Sequence, residues 1–186
     1  MELVYKLCAE YKVLFTLVHV IGVVIGMGAA LMSDMLFSFY GHNKKLSHSE
    51  TYTLTLLSRV VLGGLVIIFF SGIGLFLSDV SYYLVSVKFL AKMTIMIVLL
   101  INGFILHKYI SGLMTRRGFL SNHRYTGSRK LAFACGAVSV VSWFSLCALG
   151  ILESVPTTYT LLMSLYTSVT LGAIIVALIV EQKKFE

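Results

Sequence analysis

Six polar side chains capable of chemistry lie within long apolar runs of this chain: His19, Asp34, Arg59, Lys92, Asn102 and His107. Polar and ionisable groups are costly in hydrocarbon, so each is a candidate for ligand binding, proton handling or structural pairing. His19 and Asp34 are fifteen residues apart, and so are Lys92 and His107. On an α-helix that spacing covers ~22 Å along the axis and returns to within about 60° of the starting direction. Each pair therefore shares a broad helix face at two separate depths. His19 and Lys92 belong to one level. Asp34, His107 and Arg59, the last placed early in a returning span, belong to the other. Neutral imidazole is a common metal and haem ligand. His19 lies ~9 Å inside its run, too deep to snorkel, and reads as a haem or metal ligand or as a hydrogen-bonded structural histidine. Asp34, Arg59, Asn102 and His107 form an expected intramembrane polar cluster. It reads either as a structural ion pair with a hydrogen-bonded neighbour or as a proton relay.

Membrane helices must position these groups. Fifty-eight per cent hydrophobic residues and a single proline in 186 residues exclude an ordinary soluble domain, and so does a mean hydropathy of +0.92. A span needs ~20 mostly apolar residues. Five such runs are expected, at 13–37, 54–77, 88–111, 131–151 and 159–180, after an amphipathic lead-in at 1–12. Their length and lack of ten-residue alternation give an all-α bundle rather than a barrel, folded as one domain over residues 1–186. The charge of +7 lies mostly in the connections, where it reports topology and not nucleic-acid binding. Lys44, Lys45, Lys108, Arg116, Arg117, Arg124, Arg129, Lys130, Lys183 and Lys184 gather on one side. The positive-inside rule then places the N-terminus outside and the C-terminus inside. Pro156, in the turn ESVPTT, makes the last two spans an antiparallel hairpin.

Small residues pick the packing faces. Gly22, Gly26, Ala30 and Ser33 continue the His19 stripe at steps of three and four, which turns His19 towards the bundle. Met96, Leu99 and Gly103 connect Lys92 to His107, while Gly63, Phe70 and Gly74 extend the Arg59 stripe. Cys8, Cys135 and Cys147 are too few and too scattered for a disulfide framework or a zinc site. No cleavable signal peptide is expected, because Glu2 and Glu10 flank the start and no small-residue cleavage site follows the first run. Phosphate-binding glycine loops, nucleophile elbows and zinc-protease helices are absent from the sequence.

Three of these segments resemble copper-resistance-D-like membrane proteins. LVHVIGVVIGMGAALMSDMLF is similar to their first helix, SRVVLGGLVIIFFSGIGLFL to their second and KFLAKMTIMIVLLINGFILHKYI to their third. The order of a first-helix histidine and a third-helix lysine also resembles the related haem-containing membrane protoporphyrinogen oxidases, and falls here on His19 and Lys92. The resemblance covers about residues 13–111. The tryptophan that commonly follows the histidine is replaced near Gly26 or Met27, and the last two spans carry no such motif. What the resemblance implies is the arrangement of the first three helices and a haem b held through His19 and Lys92, and the chain is expected in the bacterial cytoplasmic membrane.

Four functions follow. A b-type haem protein would use His19 as axial ligand, with Lys92 opposite or pairing a propionate, and His107 could serve a second haem. If it is an enzyme, it is a membrane oxidoreductase. A copper-handling protein would add Met27, Met32, Met93 and Met96 to His19. A proton-coupled small-solute carrier would use Asp34, Arg59 and His107, and five spans would require a homodimer. An accessory membrane subunit would use its polar groups only to fix packing against lipid and a partner.

Overall fold

A computed structural model describes residues 2–40, 47–114, 123–152 and 157–185. The expected turn at Pro156, His42 and the basic residues Lys44, Lys45, Arg116 and Arg117 lie outside the described residues. Every regular element among the described residues is helical. Five helices are long and apolar enough to cross a membrane, so the all-α, five-span expectation holds.

Helix α1 (Glu2–Glu10) runs nearly continuously into α2 (Lys12–Tyr40), because the Tyr11 and Phe15 amides bond back to the Leu7 and Tyr11 carbonyls at 3.0 Å. The expected lead-in thus forms a first helix that packs on α3 and buries Cys8. Helix α3 (His48–Ser78) starts six residues before its apolar run. The cause is a capping box: the Ser47 hydroxyl accepts from the Glu50 amide while the Glu50 carboxylate accepts from the Ser47 amide. A short α4 (Val80–Val85) turns the chain into α5 (Val87–Ile105), which continues through a π turn (Leu106–Ser111) into α6 (Gly112–Met114). After a 3-10 turn (His123–Tyr125) come α7 (Thr126–Ile151) and α8 (Tyr159–Phe185).

Lipid tails are as apolar as leucine, so helix association here depends on close fit and polar contacts more than on water exclusion. The most extensive pairing is α2 with α3. It rests on glycine: a Cβ on Gly64 would stand 2.7 Å from the backbone of Gly26 and 3.0 Å from the Gly22 carbonyl oxygen. On the other flank of α2, Gly26 leaves room for the Trp143 ring of α7. Trp143 joins Ala30, Ile68 and Leu99 in a central cluster that includes Met27 and Met96. A second cluster of Ala91, Ile95, Leu149 and Tyr166 seams α5, α7 and α8. Helix α5 makes its close backbone contacts with α7 and α8, and it meets α2 and α3 chiefly through side chains.

Candidate functional site

Two polar layers interrupt this apolar packing. The first lies towards the end where α2 begins. His19 projects from α2 to α3, where its Nδ1 is 3.0 Å from the Ser71 Oγ. Ser71 is almost fully buried, at 2 % exposure. Its Oγ also lies 2.6 Å from the Ile67 carbonyl oxygen and 3.2 Å from that of Ile68. Carbonyl oxygens only accept, so the single Ser71 hydroxyl hydrogen is already committed to the backbone. The Ser71 Oγ must therefore accept from His19, which puts the proton on Nδ1 and leaves a lone pair on Nε2. Ligating histidines are oriented in this way, with one ring N–H held by a fixed acceptor. The Ile68 backbone is a second hydrogen-bonding neighbour of the ring.

The α2–α3 pairing shapes the space around the ring. Gly72 passes so close to His19 that a Cβ there would be 3.5 Å from Cε1. One turn further out, Phe15 fills the position left open by Gly74. Half-buried Lys92 is the charged group on α5 whose field reaches His19. Phe76 and Phe89 stack at 5.5 Å, with Tyr83 beside them, one turn beyond Ser71 and Lys92. Burial, and then its neighbours Tyr82 and Asp79, hold the Tyr83 phenol above its ordinary range, so this aromatic cap carries no charge at neutral pH.

The second layer departs from expectation. Asp34, Arg59, Asn102 and His107 are not joined by any hydrogen bond or ion pair among the described residues. Arg59 is exposed, because α3 buries Leu54, Gly64, Ile68, Ser71 and Gly74. Gly63 and Phe70 of the expected Arg59 stripe face outward instead. His107 is also exposed, since the buried stripe Ala91, Ile95, Leu99, Asn102 continues through the π turn to Ile110. Asn102 is buried and donates to the Cys135 carbonyl at 2.9 Å. Asp34 faces α7, its Oδ1 3.4 Å from where a Gly136 Cβ would stand.

Among the described residues the buried ion pair lies elsewhere. Arg129 Nε donates to Glu181 Oε1 at 3.1 Å, with the residues 5 % and 1 % exposed. The first turn of α7 and the C-terminal part of α8 supply them. A cation is poorly placed at its own helix N-terminus, and an anion at its own C-terminus. Across the antiparallel pair each charge meets the favourable end of the neighbouring helix. Lys184 adds a bond to the Ser38 carbonyl in the last turn of α2, and Lys88 reaches the Leu152 carbonyl at the opposite end.

For the candidate cofactors the outcome is uneven. His19 is oriented by Ser71, and imidazole is chemically suited to axial ligation. The glycine stripe is occupied by α3 and Trp143, so a porphyrin could meet His19 only from the side that α3 leaves open. Among the described residues no three His, Cys, Asp or Glu side chains converge. Met27 and Met96 are packed into the central apolar cluster, while Met32 and Met93 face outward. Comparison with protein families, with characterised proteins and with solved structures found no match to this chain.

Proposed function

We propose that this chain is an integral membrane b-type haem protein with a redox or porphyrin-related role, in which His19 is the axial ligand. One observation supports the reading: the His19 Nδ1 lies 3.0 Å from the Ser71 Oγ, whose hydrogen the backbone already takes, and this arrangement would orient the imidazole with Nε2 towards a ligand. Haem, when bound, supplies one-electron exchange. Ser71 orients the imidazole and raises its basicity. Lys92, at the same level, serves either as the opposite ligand in its neutral form or as the partner of a propionate. The cap of Phe76, Tyr83 and Phe89 limits water at that end of the layer. His107, exposed on the π turn, has no part in this site, and one haem is proposed. The basic connections orient the protein with its N-terminus outside and C-terminus inside, in a bacterial cytoplasmic membrane.

The closed glycine contact favours a second reading, a non-catalytic accessory subunit in which His19–Ser71 is only a clasp between α2 and α3. The absorbance of detergent-purified protein from haem-supplied cells separates the two. The haem reading expects a Soret band that His19→Ala abolishes and His123→Ala leaves intact. A colourless wild-type protein refutes it and leaves the accessory reading.

A further inference from the structure

Asp34 is half-buried, with one carboxylate oxygen, Oδ2, fully closed off from the surface. Ala30 and Leu99 belong to one apolar cluster, and α2 and α5 run in the same direction, so one turn further along stand Asp34 and Asn102. Beyond them lies a third cluster, Ile110 and Ala132 with Phe37 packed against it. Half-buried Asp34 thus lies between two apolar clusters. Its Oδ2 is buried and has no hydrogen-bond partner among the described residues. The amide of Asn102 is directed to the Cys135 carbonyl.

Among the described residues no cation forms an ion pair with Asp34. On α3, Arg59 is exposed, and so is His107 on the π turn. On α7, Cys135 is a free thiol and Arg129 is engaged by Glu181. On α8, Lys184 is bonded to Ser38. An ionised carboxylate kept in such surroundings without a partner is far costlier than a neutral acid.

We propose that Asp34 is a proton-binding site, its carboxyl carried as the neutral acid within the bundle and exchanging its proton with water on the side where the chain ends. The step is a simple dissociation, one proton leaving for water and one carboxylate charge remaining. It is independent of haem at His19. Glu181 supplies the contrast within the same molecule: it is more deeply buried, yet it has a cationic partner in Arg129.

The test uses the whole protein in lipid nanodiscs and an apolar carbodiimide, which adds to protonated carboxyls in apolar surroundings and leaves a stable acylurea detectable by peptide mass spectrometry. The expected result is labelling of Asp34 that declines as pH rises and is lost in Asp34→Asn. Infrared spectra should show a protonated carboxyl stretch that is missing from Asp34→Asn. The amide mimics the neutral acid, so that variant should fold and melt like wild type. Absence of both the label and the protonated band at acid and neutral pH overturns the proposal. A strongly destabilised Asp34→Asn overturns it too, because that would reveal an ionised, partnered carboxylate.

Discussion

Gly63 and Gly64 are neighbours on α3, and replacing each by alanine should have opposite effects. A Cβ on Gly63 meets nothing within 4 Å, whereas one on Gly64 stands 2.7 Å from the Cα and the N of Gly26. Carbon atoms prefer ~3.5–4.0 Å, so α2 must retreat by about 1 Å. The atoms in the way are backbone and cannot rotate aside. Both alanines gain up to ~1 kcal/mol in helix propensity, and that gain cancels when the two variants are compared. The remaining difference is the overpacking cost, ~1–3 kcal/mol, or roughly five- to a hundred-and-fifty-fold in the folding equilibrium. Reversible unfolding in mixed micelles, followed by circular dichroism, measures it. Gly64→Ala should unfold at lower denaturant than wild type, and Gly63→Ala at the same or higher. Equal stability of the two variants, or the reverse order, would refute the packing argument.

Three further outcomes follow from the same contacts. Glu181→Gln should destabilise the α7–α8 hairpin by ~3–5 kcal/mol by removing the anion that meets the buried Arg129 guanidinium, while the double change Arg129→Met, Glu181→Leu should recover most of it; the same unfolding assay measures both. Ser71→Ala should lower haem affinity by about ten- to a hundred-fold while keeping the ligand, since it frees the imidazole to turn; titration with haem reads this directly. A cysteine introduced at Ser121 should be inaccessible to an impermeant maleimide added from outside, and ready labelling there would reverse the proposed orientation.

The spans were legible because each is longer than an ordinary apolar run and their order fixes an antiparallel path. The buried face of α2 was legible as well, since Gly22, Gly26 and Ala30 repeat at helical spacing and all three are buried. The partner face of α3 was not. Gly63 and Gly64 lie 100° apart, and periodicity alone gives no means of choosing between them; the contact with Gly26 decides. Ser71 was overlooked for a related reason: a lone serine in an apolar run is unremarkable until a second helix brings His19 to it. Arg129 and Glu181 were missed because falling hydropathy places them outside the spans. Helices α7 and α8 run on to include both, and the pair joins residues 52 apart in sequence. Only the start of α3 carried an unused signal, the serine and glutamate of its capping box.

Axial ligation by His19 is the central claim, and imidazole rescue tests it most directly. His19→Gly removes the ligand and leaves a gap that free imidazole can fill. In purified protein supplied with haem, the variant should retain wild-type helicity but lack the Soret band, and added imidazole should restore it. A His19→Gly protein that binds haem as well as wild type without imidazole would contradict the assignment.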